Sequence, residues 1–145
     1  MKTVLWLLLL LPAFPLLPLH GADAPQAKPA SHGDKPPLPK NVKNVGIAEF
    51  DQLRATTNHV VLDVRTPEEF AKGHIPGAIH LDYNASDFQK KVGQLDKSKV
   101  YLVHCAAGVR SAKACTVMDK IQFTNLVNLD VGFKGWEKAG KPVER

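Results

Sequence analysis

Residues 101–111 read YLVHCAAGVRS. The first four residues have the apolar and β-branched character of a buried strand, and Cys105 follows where that strand ends. Gly108 can adopt the backbone dihedrals of a tight loop, and a helix is predicted to begin at Arg110 or Ser111. Because open α/β sheets bind ligands at the carboxyl ends of their strands, this stretch predicts an α/β fold with Cys105 at its functional edge.

The surroundings of Cys105 are those of a nucleophile. Backbone amides from Ala106 to Ser111 can curl around the sulfur, and the start of the following helix adds partial positive charge. Both effects favour the thiolate, which is the form of cysteine that attacks an electrophile. A core cysteine at a strand end is the alternative, but the Gly, the Arg and the helix start favour a functional role.

The flanking sequence alternates short strands with helices. Strands are predicted at Val42–Val45, His59–Asp63, Ala78–His80, Val100–His104 and Asn125–Leu129. Helices are predicted at Ile47–Arg54, from the cap at Thr66 to Gly73, from Ser86 and Asp87 to about Val92, at Ser111–Ile121, and as a last turn after Val131. This alternation predicts one α/β domain with a central, mostly parallel sheet flanked by helices.

Three motifs resemble the rhodanese (thiosulfate sulfurtransferase) family. They are VLDVRTPEEF at residues 61–70, GHIPGAIHL at residues 73–81 and CAAGVRS at residues 105–111, in the order in which the family has them. The likeness covers roughly residues 42–140 and is strongest to the small, single-domain, exported members. It implies that residues 42–145 form a single rhodanese-like domain.

The resemblance also implies a reaction. Cys105 would take sulfane sulfur from thiosulfate or a similar anionic donor, hold it as a persulfide, and pass it to cyanide or to a thiol acceptor, including a protein thiol. Arg110 would order the loop and attract the anionic donor. Fixed backbone dipoles would stabilise the moving charge, so neither a metal nor an organic cofactor is expected. The loop that would hold the persulfide consists of Ala106, Ala107, Gly108, Val109, Arg110 and Ser111.

The spacing from Cys105 to Arg110 separates this activity from related chemistries. Phosphatases and arsenate reductases of the same fold have five residues between their Cys and Arg, which makes a pocket wide enough for a tetrahedral oxyanion. Here four residues intervene. The shorter loop suits a sulfur atom and disfavours phosphatase activity.

Several polar residues lie close to the predicted site. Asp63 and Arg65 follow the second buried strand; in the resembled family such residues support the loops near the site, and a plain structural ion pair explains them equally well. His74 is expected to fix a turn by hydrogen bonds, and His104 has no expected catalytic role. Cys115 is expected to pack in the core, with a resolving thiol as the alternative.

Two positions depart from the family pattern. The helix after the loop usually ends in a Gly, but Ile121-Gln122-Phe123 stands there, so a less well capped helix end is expected. The family has two glycines before the last helix, and here the pair is reduced to Val131-Gly132. This motif therefore does not predict how the pocket wall is formed.

Two other functions are compatible with this sequence. One is a non-enzymatic persulfide carrier or binding module that keeps the fold and docks a dedicated protein. The other is a redox-sensing thiol protein, because an activated thiol in an oxidising compartment is prone to oxidation. The intact Cys-x-x-Gly-x-Arg-Ser loop favours the enzyme.

The N-terminal region predicts export. Residues 1–24 have a positive start, an apolar core and small residues before Pro25, as in a signal peptide, and three prolines argue against a membrane span. Residues 25–41 read as a Pro-rich disordered tether. We therefore expect a periplasmic or cell-envelope protein with no stable membrane insertion after cleavage.

The distribution of charge along the chain disfavours a nucleic-acid partner. The 145 residues include 19 Lys and Arg against 14 Asp and Glu, a formal net charge of +5. These charges are interleaved and form no basic block, so a nucleic-acid partner is not expected.

Overall fold

The computed structural model describes residues Lys35–Arg145. The predicted signal peptide, residues 1–24, and residues 25–34 of the predicted tether lie outside them. Five strands are present: β1 (Val42–Val45), β2 (His59–Asp63), β3 (Ile79–His80), β4 (Val100–His104) and β5 (Leu126–Leu129). Five helices accompany them: α1 (Ile47–Arg54), α2 (Pro67–Lys72), α3 (Phe88–Val92), α4 (Val109–Lys120) and α5 (Gly132–Lys138).

The strands form one sheet in the order β1-β5-β4-β2-β3, and all four pairings are parallel. The α/β architecture predicted from the sequence is therefore confirmed. Strand β4 lies at the centre of the sheet, and its carboxyl end, at His104, lies between β2 and β5. Of the described strands, β3 is the shortest, with two residues, and it forms an edge.

Apolar side chains cover both faces of the sheet. One face packs Leu62, Val103 and Met118, and the other packs Leu102, Phe50 and Trp136. A strand buried on both faces needs apolar residues at successive positions, which explains the nearly continuous apolar run in β4. The core thereby fixes the carboxyl end of β4, where the predicted functional loop begins.

The C-terminus of α4 is better capped than its sequence suggests. Gln122 has a φ of 72°, its N–H donates to the Asp119 carbonyl at 2.9 Å, and the Phe123 N–H donates to the Met118 carbonyl at 3.0 Å. This pair of bonds is a Schellman motif, and Phe123 and Met118 lie in the same apolar cluster. The expectation of a poorly capped helix end is therefore corrected: Gln takes the left-handed position that usually belongs to Gly.

The folded part of the chain extends further toward the N-terminus than predicted. Leu38 packs against the core, the Lys35 ammonium donates to the Asp130 carbonyl at 2.6 Å, and the Val42 N–H donates to the Pro39 carbonyl at 3.0 Å. For residues 35–41 the structure thus differs from the predicted disordered tether, because these side chains contact the domain.

Some element ends shift by one or two residues. Helix α4 begins at Val109 rather than at Arg110 or Ser111, because Gly108 takes the N-cap position in a left-handed conformation. Helix α5 has seven residues rather than a single turn. Among residues 35–145, no helix has both the length and the apolar character needed to cross a bilayer.

Candidate functional site

The loop after β4 holds Cys105 at the carboxyl edge of the sheet. The Cys105 side chain is almost fully buried, and its Sγ accepts a hydrogen bond from the Gly108 N–H at 3.2 Å. The Ser111 hydroxyl donates to the same sulfur at 3.5 Å. No side chain caps the start of α4. The sulfur therefore lies beside a helix N-terminus with two donors directed at it, an arrangement that stabilises negative charge.

Two glycines allow the loop to be this tight. Gly108 has a φ of 88°, and a Cβ there would lie 2.1 Å from the Asp130 carbonyl oxygen. Gly132 has a φ of 60°, and a Cβ there would lie 2.6 Å from the Ala106 carbonyl group. Helix α5 thus begins in direct contact with the loop, and the Phe133 N–H donates to the Cys105 carbonyl at 2.7 Å.

The start of α5 forms a wall beside the loop although only one glycine of the pair is present. Val131 has an ordinary φ of −87° and a side chain that is 39% exposed, so its position does not require glycine. Only Gly132 occupies the left-handed region and contacts the loop. One glycine is therefore sufficient to build this wall.

Arg110 is tied to helix α2. Its Nη1 donates to Glu69 Oε2 at 2.6 Å and its Nη2 donates to Glu69 Oε1 at 2.8 Å. The Arg110 guanidinium lowers the pKa of Glu69 to about 2, because its hydrogen bonds favour the carboxylate. The same pairing raises the pKa of Arg110. Since Glu69 also accepts from the Thr66 N–H at 3.1 Å, it joins the start of α2 to the Cys105 loop.

Asp63 and Arg65 form a buried ion pair beneath the site. Arg65 Nε donates to Asp63 at 2.9 Å, and Arg65 Nη2 donates both to Asp63 at 2.6 Å and to the Gly73 carbonyl at 2.7 Å. The guanidinium lies 3.9 Å from the centre of the Phe133 ring. Arg65 therefore connects the end of β2, the end of α2 and the start of α5.

A cavity of about 190 Å³ opens beside the loop. Ala106 and Phe133 form part of its wall, and Arg65 and Gly73 lie on the side of β2 and α2. The charged residues Glu69, Lys72, Lys134 and Glu137 complete the lining. This space is suited to a small polar molecule next to the Cys105 loop.

The comparisons with known proteins now identify the fold. A family model described as the rhodanese-like domain matches residues 47–139. The chain belongs to the rhodanese-like domain family. The membership predicted from the sequence is therefore confirmed.

Several relatives of this rhodanese-like domain are named sulfurtransferases. The chain is 34% identical to the putative sulfurtransferase YtwF of Bacillus subtilis, over 70% of this chain and 96% of that protein. It is 38% identical to the chloroplastic thiosulfate sulfurtransferase 16 of Arabidopsis thaliana, over 59% of this chain and 80% of that protein. A rhodanese-related protein from Thermoplasma volcanium has a solved structure with a TM-score of 0.63 and 30% identity, covering 70% of this chain and 97% of that one.

The other sequence-derived expectations can be compared with this rhodanese-like domain. His104 is fully buried between Phe50 and Phe133, and burial lowers its pKa to about 4. The His74 ring lies stacked on Phe70, with its Nδ1 3.2 Å from the Phe70 carbonyl. The His74 ring is thus held at the end of α2, and the expectation that neither histidine is catalytic stays a prediction.

Cys115 lies inside helix α4 with no exposed surface. Burial raises the pKa of the Cys115 thiol to about 12, so it is protonated at ordinary pH. Both cysteines are free thiols. These surroundings agree with core packing rather than with a resolving thiol.

Three residues of the site, Glu69, Lys72 and Lys134, were absent from the sequence prediction of the site. Glu69 reads in the sequence as a helix-capping residue, which it is, and only the fold brings it to Arg110. The cavity lysines Lys72 and Lys134 read as ordinary surface residues. An acid in the first turn of the helix after a neighbouring strand was the signal available for Glu69. Among residues 35–145 there is no group of three or more His, Cys, Asp or Glu arranged to bind a metal.

The predicted loop residues differ in how they meet the sulfur. Of the backbone amides in residues 106–111, the Gly108 N–H is the one that donates to Cys105 Sγ in the described structure. Ala106 contributes its carbonyl to α5, accepting from the Lys134 N–H at 3.0 Å. Arg110 and Ser111 contribute side chains.

Proposed function

We propose that this protein is a sulfurtransferase that carries sulfane sulfur on Cys105. The observation that carries the proposal is the Cys105 sulfur, held at the N-terminus of α4 by the Gly108 N–H within a rhodanese-like domain. The names of the relatives support sulfur transfer in general. Thiosulfate or a similar anionic sulfur compound is the proposed donor, and cyanide or a thiol, including a protein thiol, is the proposed acceptor.

The first step forms a persulfide. The Cys105 thiolate attacks the outer sulfur of thiosulfate, a new S–S bond forms, and the old S–S bond breaks with its electron pair leaving on sulfite. The terminal sulfur of the persulfide then carries the negative charge. The start of α4 and the donors around the loop stabilise that charge without rearranging, which lowers the barrier to the transfer.

The second step returns the enzyme to its starting state. The carbon of cyanide, or the sulfur of a thiolate, attacks the outer persulfide sulfur, and the Cys105 thiolate is the leaving group. No net oxidation of the protein occurs over the cycle. Residues Ala106 to Ser111 form the loop around the persulfide, while Asp63 and Arg65 hold the strand and helix ends that support it.

Intact mass spectrometry tests this proposal. The purified protein is measured before and after thiosulfate, and again after cyanide, together with the variants Cys105→Ser and Cys115→Ser. We expect the mass of one sulfur atom to be gained and then removed in the wild type and in Cys115→Ser, and no gain in Cys105→Ser. A gain of oxygen without sulfur would support a redox-sensing thiol protein instead. A persulfide whose outer sulfur is accepted by only one partner protein would support a carrier.

We further propose that the protein is exported to the periplasm or cell envelope. The support is the signal-peptide pattern of residues 1–24. N-terminal sequencing of the mature protein is expected to start between residues 20 and 26, with the protein in the envelope fraction. An intact Met1 in a cytoplasmic fraction would contradict this proposal.

A further inference from the structure

The cationic group expected to attract the donor is already occupied. Both outer nitrogens of Arg110 are bonded to the two oxygens of Glu69, so this pair offers little net charge to an incoming anion. A divalent anion such as thiosulfate nevertheless needs compensation when it leaves water for a pocket. The compensating groups are therefore to be sought elsewhere around the loop.

The cavity beside Ala106 contains an unused donor on a buried side chain. Arg65 lines this cavity and is 3% exposed. Its Nε and Nη2 donate to Asp63 and Gly73, whereas its Nη1 makes no hydrogen bond with any residue from 35 to 145. A guanidinium fixed on one side and unbonded on the other presents N–H groups in a rigid geometry that suits an oxyanion.

Two lysines at the cavity provide further positive charge. Lys72 and Lys134 line it, and neither has an ion pair within residues 35–145. Of the two carboxylates in the lining, Glu69 is neutralised by Arg110, and Glu137 has no such partner in this part of the chain. After this pairing, two lysines face one glutamate, so the cavity favours anions.

We infer that this cavity binds the oxyanion end of the sulfur donor, with Arg65, Lys72 and Lys134 as its recognition residues. The inference rests on the proposed function, since it gives that reaction its donor site. The sulfonate oxygens of thiosulfate would lie among these three cations, and the outer sulfur would be directed toward the Cys105 loop. The released sulfite, which keeps the three oxygens, would leave from the same cavity.

The first experiment measures persulfide formation in a single turnover at increasing thiosulfate concentration. The double variant Lys72→Gln with Lys134→Gln is compared with the wild type and with a charge-matched control, Lys90→Gln with Lys120→Gln, whose lysines lie outside the cavity. We expect the half-saturating thiosulfate concentration to rise roughly tenfold in the cavity variant, with a limiting rate close to that of the wild type. Equal values for the cavity and control variants would overturn the inference.

A second readout is independent of sulfur transfer. Iodoacetate and iodoacetamide alkylate the same thiolate, but only iodoacetate is an anion, so the ratio of their rates at Cys105 reports anion attraction alone. The ratio is expected to fall severalfold in the cavity variant and in Arg65→Gln, and to stay unchanged in the control. An unchanged ratio in the cavity variant would contradict the anion site even if thiosulfate is not the donor.

These readouts separate the two proposals. If the wild type gains no sulfur from thiosulfate but the alkylation ratio falls in the cavity variant, the donor assignment fails and the anion site stands. If sulfur is gained and neither readout changes, the sulfurtransferase stands and this donor site does not.

Discussion

At the scale of single residues, Gly108 meets two separate requirements. Its φ of 88° is costly for any side chain, and a Cβ would also meet the Asp130 carbonyl oxygen at 2.1 Å. We expect Gly108→Ala to lower the free energy of unfolding by about 2–4 kcal/mol and to abolish persulfide formation, because the loop must move away from Asp130, which follows β5. Urea unfolding and intact mass measure the two effects.

Gly77 provides the matched control for that variant. It has a similar φ of 76°, but nothing lies within 4 Å of a Cβ built there. Gly77→Ala should therefore cost only about 1–2 kcal/mol, the price of the backbone conformation alone, and should keep sulfur transfer. Equal losses of stability and activity in the two alanine variants would show that the contact with Asp130 is unimportant.

The pair formed by Arg110 and Glu69 is also tested at this scale. Glu69→Gln leaves the Arg110 guanidinium without its carboxylate and separates the loop from α2, so the limiting rate of persulfide formation should fall roughly tenfold. Glu68→Gln is the control, because Glu68 is exposed and does not contact Arg110. The rates of the two variants are compared in single-turnover experiments, and a similar decrease in both would remove the special role of Glu69.

At the scale of secondary structure, the end of α4 is open to improvement. Gln122 occupies a left-handed position that costs a side chain about 1 kcal/mol relative to glycine. We expect Gln122→Gly to raise the free energy of unfolding by about 1 kcal/mol, because the Schellman hydrogen bonds are kept and the strain is removed. Thermal and urea unfolding provide the measurement.

A glycine placed two residues earlier, at Lys120, is expected to lower the free energy of unfolding instead of raising it. Lys120 belongs to the helix itself, so Lys120→Gly should lower stability by about 1 kcal/mol. Two glycine variants that change stability in the same direction would contradict the assignment of Gln122 as the cap.

The positions of the elements could be predicted because local signals set them. The start of α2 is predicted by its capping residues Thr66 and Glu69 and by Pro67. Strands β1, β2 and β4 have the bounds that were predicted. The contacts between elements could not be predicted in this way. Glu69 reaches Arg110 from another helix, and the hydrogen bonds that leave Nη1 of Arg65 unused depend on where β2 and α2 end.

At the scale of the whole molecule, the buried His104 makes stability depend on pH. Burial lowers its pKa in the folded protein to about 4, from the 6.5 of an exposed histidine. The unfolded chain therefore binds a proton that the folded protein excludes between these values. Stability is fully present above pH 6.5 and falls as the pH decreases to about 4, by up to about 3 kcal/mol from this residue.

Urea unfolding at pH 7 and at pH 5 measures this effect. The variant His104→Leu should lose much of the difference between the two pH values, because no group at that position can take up a proton. Glu69 contributes only below about pH 4.5, where its own carboxylate begins to be protonated in the unfolded chain. An unchanged pH difference in the variant would contradict the assignment to His104.

The order of the strands has a consequence for the newly made chain. Strand β1 pairs with β5, so Val42 cannot pair until Leu126 has been synthesised. Gly132, where the wall beside the Cys105 loop begins, is synthesised later still. During synthesis Cys105 therefore emerges well before the segment that encloses it. Until the C-terminal segment folds onto the sheet, the Cys105 thiol lacks this wall and is exposed to oxidants and electrophiles.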